Sequence, residues 1–304
     1  MKRINKFVSF ALFIGVALIL AACSTSSPGS NVSSGGGSLA GSSAVKPIKS
    51  YAGPKEIKSA TAVMSNNTQW LLAGGQTDKT LVQMNLATGA IGTPIPESSS
   101  AVAVAETSNQ VLLVGLSTSS GGAVEIRNGS NGTLLGTVPV SDAVQSLSVS
   151  ADGSLAFVVE NSGSAVSLQK IALDTYHIVG TTIPLVSDAM SVVSSTNGAD
   201  LFVLEANGKV DELPASGVGQ INSFSVGSAA LSMIISPDSQ TLFVLKCPPG
   251  SCNVSVVNIA GQQVTKVLPA PLATVQINLS VSGNSLWDAV GSGAYGNVQE
   301  FSLS

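Results

Sequence analysis

Ser150-Ala151-Asp152-Gly153-Ser154-Leu155-Ala156-Phe157-Val158-Val159 sets a polar turn directly ahead of an apolar run. The same pairing returns along the chain. Its apolar half recurs as Trp70-Leu71-Leu72-Ala73, Val111-Leu112-Leu113-Val114, Ala156 to Val159, Leu201-Phe202-Val203-Leu204, Leu242-Phe243-Val244-Leu245 and Leu286-Trp287-Asp288-Ala289. The first residues of these runs are 70, 111, 156, 201, 242 and 286, so the unit is about 43 residues long. The polar half, as in Asn66-Asn67, Asn197-Gly198, Pro237-Asp238 and Gly283-Asn284, marks a hairpin between a first and a second strand. A short run that is apolar at almost every position fits a strand covered on both faces, as when one sheet is stacked between two others. No 3.6-residue periodicity is sustained, which argues against a helical solenoid. Four strands in each of six such units predict an all-β, six-bladed β-propeller, with seven blades of about 37 residues as the alternative.

Outward from the repeats, the N-terminus reads as an address. Lys2, Arg3 and Lys6 precede an apolar run from Phe7 to Leu20 and the small residues Ala21 and Ala22, the layout of a secretory signal peptide over residues 1–22. The run is shorter than the roughly 20 residues a membrane-spanning helix needs. Leu20-Ala21-Ala22-Cys23 resembles the bacterial lipobox, which implies cleavage before Cys23 and lipidation there. Two acyl chains, at about 0.8 kcal/mol per buried methylene, hold a protein to a membrane on cellular timescales. The expected location is therefore the cell envelope, outside the cytoplasmic membrane, and the outer membrane in a Gram-negative cell, since Ser24 and not Asp follows the cysteine. Residues 23–43, rich in Ser and Gly, read as a flexible tether, and residues 44–304 as the propeller domain.

Pro94, Pro96, Pro139, Pro184 and Pro269 recur near the ends of fourth strands. Proline donates no ladder hydrogen bond, so it belongs on the outer edge of a sheet. The sixth unit runs out after its third strand, and the segment from Ala44 to Tyr51, with Pro47 in the matching place, is expected to supply the missing fourth and close the ring.

Charge excludes one class of partner. Removing the three basic residues of the signal leaves 10 basic and 17 acidic residues, a net of −7, which is the wrong sign for binding nucleic acid. Charged residues are only 10% of the chain, against about 25% in an average globular protein. An acidic external medium and drift in a Ser-rich secreted protein both account for this.

Beyond Cys23, the cysteines are Cys247 and Cys252, which bracket the turn-forming Pro248-Pro249-Gly250-Ser251. In an oxidising compartment this spacing predicts a local disulfide pinning a hairpin loop. The four-residue separation and a single distant histidine, His177, speak against a metal site, and a redox pair would need Cys-x-x-Cys.

Val149-Ser150-Ala151-Asp152-Gly153 leading to Phe157-Val158-Val159-Glu160, Ile235-Ser236-Pro237-Asp238 leading to Phe243-Val244-Leu245-Lys246, and Leu86-Ala87-Thr88-Gly89 together resemble YVTN-type propeller repeats. The resemblance spans nearly the whole folded region and implies blades without implying any chemistry. This chain departs from the family at the end of the second strand, where Glu160 and Lys246 stand in place of its Asn, and before the first strand, where Ser141-Asp142-Ala143 and Ser187-Asp188-Ala189 replace its Gly and Pro.

Propeller ligands commonly meet the loops that lead from a fourth strand to the next first strand, which here carry Ser98 to Ser100, Asp142, Asp188, Ser228 and Thr274. Asp142, Asp188 and Ser228 are the candidate ligand-binding residues, able to meet a cation or a polyol; an Asp there can equally accept turn amides. No catalytic residue, metal ligand or cofactor is predicted. His177 is expected on an outer edge, and Trp70 and Trp287 as blade packing. The function read from the sequence is a non-catalytic binding or scaffold module, membrane-held by its lipid, with an envelope protein as partner. The alternative is a lactonase-like hydrolase with its site at the channel mouth; such sites need several convergent acidic, His or Arg groups, and Arg127, the only Arg outside the signal, lies in a third strand.

Overall fold

The computed structural model describes residues 47–303 apart from 54–56, 66–67, 76–78, 119–120, 151, 187, 218, 273, 280–284 and 293–294. The signal sequence, Cys23 and the Ser/Gly-rich stretch lie outside the described residues, as do the turn residues Asn66, Asn67, Gly283 and Asn284.

Every regular element among the described residues is a strand. The first sheet contains β2 (Ile57–Ser65), β3 (Thr68–Gly75), β4 (Thr80–Asn85) and β5 (Ile95–Pro96). The second contains β6 (Ser100–Glu106), β7 (Val111–Thr118), β8 (Gly121–Asn128) and β9 (Leu134–Val140). The third is β10 (Ala143–Val149), β11 (Leu155–Asn161), β12 (Val166–Ala172) and β13 (His177–Leu185), and the fourth is β14 (Ala189–Ser194), β15 (Asp200–Glu205), β16 (Lys209–Pro214) and β17 (Asn222–Ser225). The fifth holds β18 (Ala230–Ile235), β19 (Thr241–Lys246), β20 (Cys252–Asn258) and β21 (Gln263–Ala270). In the sixth, β22 (Thr274–Leu279), β23 (Ser285–Ser292) and β24 (Tyr295–Ser302) are joined by β1 (Lys49–Gly53), in the order β1-β24-β23-β22. Each first strand lies beside the first strand of the next sheet, and β22 lies beside β2, so the circuit closes. The fold is an all-β β-propeller.

In the third, fourth and fifth sheets the hairpin between first and second strands repeats because one hydroxyl closes it. Ser150 Oγ accepts the Leu155 N–H at 2.9 Å and donates to Asp152 Oδ1 at 2.6 Å. Ser195 and Ser236 play the same part for Asp200 and Thr241, at 2.9 and 3.0 Å. In the second sheet Thr107 Oγ1 accepts Val111 N–H at 3.0 Å across a turn one residue shorter. Val111 is therefore the counterpart of Leu155, and Leu112, not Val111 as the sequence register has it, matches Ala156. Gly153 turns the Ser150–Leu155 hairpin at φ +70°, a left-handed value that disfavours a side chain.

The second strands β7, β11, β15 and β19 are buried on both faces, as their composition requires: Ala156, Phe157, Val158 and Val159 are each 0% exposed. The fourth strands carry the solvent-facing edge, and Pro96, Pro139, Pro184 and Pro269 all fall within them. His177 opens β13 and is exposed, as expected of an edge residue.

The closing strand starts later than the sequence suggests. Lys49 pairs with Glu300, Tyr51 with Val298 and Gly53 with Gly296. Tyr51 stacks on Trp287 with ring centroids 6.2 Å apart, and its hydroxyl donates to Leu86 O at 3.1 Å, which ties the sixth sheet to the first. Gly89, at φ +75°, lies flat under the Tyr51 ring, where any Cβ would collide with it. The turn that resembles the YVTN family is thus also the docking point of the closing strand.

Cys247 and Cys252, the latter opening β20, are joined by a disulfide across the loop between β19 and β20. The Cys247 N–H donates to Ala229 O at 2.9 Å, so the bond also steadies the approach to β18. A loop this short gives up about 2 kcal/mol of chain entropy when crosslinked. The double variant Cys247→Ser, Cys252→Ser is expected to melt roughly 5 °C lower; a melt unchanged by the substitutions or by reductant would show that the loop is held by its backbone alone.

Candidate functional site

All six first strands carry a register break at the same level, near the end where the chain enters from the preceding sheet. The breaks fall between Ile57 and Ala60, Ala101 and Ala103, Val144 and Ser146, Ala189 and Ser191, Ala230 and Ser232, and Thr274 and Gln276. A β-bulge leaves one residue without a cross-strand partner and re-aims its side chain. Here the single residues so freed are Val102, Gln145, Met190, Leu231 and Val275; in the first strand the break spans two positions, the second of them Ser59. The five single-residue bulges and Ser59 line one cavity of about 300 Å³, to which every sheet contributes. It is the central channel.

The collar at the mouth is mostly apolar. Leu231 is 38% exposed, an unusual position for a leucine on an inner strand. Gln145 supplies the polar break, and it is held at both ends: Nε2 donates to Ala189 O at 3.0 Å, and Oε1 accepts from Asn161 Nδ2 at 2.9 Å. Deeper in, the hydroxyls bind the ring together. Ser59 Oγ accepts Val104 N–H at 3.2 Å, Ser146 Oγ accepts Val192 N–H at 3.2 Å, and Ser148 Oγ accepts Ser194 N–H at 3.1 Å. These bonds satisfy donors on the open edges of neighbouring first strands, so these three serines are structural. At the far end of the cavity Glu106 keeps both carboxylate oxygens buried without a hydrogen-bond partner, and burial pushes it up to about 7.

The sequence candidates lie on the same face but miss the cavity. Asp142, Asp188 and Ser228 sit on the connections leading into β10, β14 and β18, and none of them lines the channel. Asp142 is half-buried and its N–H donates to Glu160 Oε2 at 2.9 Å; Asp188 accepts Ala206 N–H at 2.8 Å through its carbonyl; Ser228 is exposed. Thr274 is buried and donates to Pro271 O at 2.8 Å. The reason for the miss is geometric. The chain is still crossing inward at these residues, and it reaches the channel only at the bulge two or three positions later. Bulges follow from strand pairing, and Gln145, Met190 and Leu231 form no motif that would announce them.

The departures from the YVTN pattern act as staples on this face. Glu160 is 1% exposed and holds the Asp142 amide; burial, aided by the nearby Asp142 charge, raises its pKa against the opposing pull of that amide. At the equivalent place Glu205 accepts from Asn207 Nδ2 at 2.8 Å and Lys209 Nζ at 3.2 Å. Lys246 donates to Val226 O at 2.7 Å. Glu160 and Lys246 thus fasten the connections that lead into β10 and β18, while Glu205 closes its own hairpin.

Arg127 is also structural. It lies buried between the first two sheets, with Nη2 2.6 Å from Glu125 Oε2 and 3.0 Å from Glu97 Oε2, and Nη1 2.8 Å from Gly132 O. One guanidinium faces two carboxylates in a desolvated gap. Burial, reinforced by Glu125, pushes Glu97 up to about 8, so the cluster carries a proton at neutral pH. Among the described residues no group of three or more His, Cys, Asp or Glu is placed to hold a metal ion.

No family model matches the chain, and no curated protein matches it either. Among solved structures it is similar to the Kuenenia stuttgartiensis hydrazine synthase, with a TM-score of 0.61 and 16% sequence identity over 84% of this chain and 77% of that one. Identity this low shows a shared architecture and nothing about chemistry. By fold, the chain is a β-propeller.

Proposed function

We propose that this protein is a lipid-held binding module of the cell envelope, a six-bladed propeller in which each of the six sheets is one blade. In this reading the lipid is carried by Cys23, residues 24–43 are the tether, and the collar of bulged residues captures its partner. The observation that carries the reading is that collar: all six first strands break pairing at one level, and four of them thereby hold an apolar side chain at a solvent-reachable mouth. The group captured is an apolar side chain of an envelope protein or a small molecule with an apolar body, oriented by the Gln145 amide. Preorganisation of this kind favours binding, since the collar loses little freedom on contact.

The test is cross-linking in intact cells, followed by purification of the tagged protein and identification of what accompanies it. Leu231→Glu with Met190→Glu, both at the partly exposed collar, is expected to reduce capture at least tenfold, about 1.4 kcal/mol, with the melting temperature nearly unchanged. Capture that survives these substitutions and is lost instead on changing an outer strand would move the binding surface away from the mouth.

A further inference from the structure

Asp288 breaks the pattern of its repeat. The counterparts of its position in the second strands of the second to fifth sheets are Val114, Val158, Val203 and Val244, all buried. Asp288 is as buried as they are, at 2% exposure, yet its Oδ1 has no hydrogen-bond partner. An uncompensated buried carboxyl costs stability, so a valine would serve the fold better. The carboxyl lines a separate cleft of about 160 Å³ between the fifth and sixth sheets, walled by Val254, Leu268 and Pro269 on one side and Leu286 and Phe301 on the other. Lys266 stands at its rim and donates to Leu303 O at 3.3 Å. Among the described lining residues, Lys266 is the other titratable group; Gln299 and Ile277, the cross-strand neighbours of Asp288, carry no charge.

We propose that this cleft binds a primary ammonium ion bearing a small apolar group, with the Asp288 carboxylate as its counter-ion. The apolar walls receive the hydrocarbon, and the buried carboxylate receives a charge that water would otherwise solvate. A cavity of about 150 Å³ is known to admit a benzene ring, which sets the size at roughly eight heavy atoms. Burial holds Asp288 at about 7 in the free protein, so binding must draw its proton away. Affinity for an amine that stays charged throughout then rises by a factor of roughly thirty between about pH 5.5 and about pH 8, in proportion to the ionised fraction.

The probe is benzylammonium chloride titrated into the purified protein by calorimetry, with benzyl alcohol and potassium chloride at matched concentration as controls. Saturable binding that tightens with pH, is lost in Asp288→Asn and persists in Lys266→Met supports the site. Asp288→Val is expected to melt higher than the unaltered protein while failing to bind, which separates loss of the ligand from loss of the fold. Absence of binding, an equal response to benzyl alcohol or potassium, unchanged affinity in Asp288→Asn, or a lower melting temperature for Asp288→Val would each overturn the assignment.

Discussion

Acidification is expected to stabilise this protein by several kcal/mol. Glu97, Glu106 and Asp288 are held at about 8, 7 and 7, in each case chiefly by burial, against ordinary values of 4.5, 4.5 and 3.8, and Glu160 is raised in the same direction. A carboxyl that binds its proton more tightly folded than unfolded contributes stability that is fully present below its unfolded value. That contribution is lost as pH rises through the folded value. The window is therefore about pH 4 to 8. Each tenfold change in proton affinity is worth about 1.4 kcal/mol. Relaxation and water entry reduce the sum, which leaves on the order of 5 kcal/mol. The melting temperature should be roughly 10 °C or more higher near pH 5 than near pH 8.5. Glu106→Gln should flatten part of that slope. A flat profile would mean that water or counter-charges reach these groups. The sparse surface charge belongs to the same picture, because a chain with few exposed carboxylates has little to lose when they are neutralised.

Deleting residues 47–53 should destabilise the protein by a comparable amount. The deletion removes five ladder pairs with β24, uncovers Trp287 and Val298, and breaks the hydrogen bonds from Tyr51 to Leu86 and Ala87. It also leaves Glu300 without the Lys49 ammonium 3.4 Å away. Burying an aromatic pair and its surroundings is worth several kcal/mol, so a loss on the order of 5 kcal/mol and a melt lower by 10 °C or more are expected. Tyr51→Ala, which spares the backbone ladder, should cost about 3 kcal/mol. If scanning calorimetry finds the deleted chain melting within about 2 °C of the intact one, the closing strand is dispensable.

Much of this fold was legible in the sequence because its cause is local. The Ser-x-Asp turn and the apolar run after it are contiguous, so the hairpin around Ser150 and Asp152 can be read from ten residues. The outer-edge prolines were legible for the same reason, since one missing N–H dictates where Pro184 and Pro269 sit. The one-residue slip at Val111 arose because the Thr107 turn is shorter, and apolar letters on both sides hide the difference. The collar was not legible, because a bulge is a property of two strands in register. Asp142 and Asp188 drew attention as charged residues in the right loops, while the side chains that reach the channel are an ordinary Gln, Met and Leu. Asp288 stood in plain view inside a repeat as its least conforming letter, yet its isolation depends on what the fifth sheet brings against it.

The pairing of β1 with β24 also sets an order of events in time. Five of the six sheets are built from unbroken stretches of chain and can form as soon as each stretch is available. The sixth cannot, because Lys49 must wait for Glu300, the partner some 250 residues later. At about 5 to 20 residues per second of synthesis that wait lasts on the order of tens of seconds. Throughout it β1, the earliest strand among the described residues, is an unpaired edge carrying an exposed tyrosine, open to any protease or chaperone that reaches the chain.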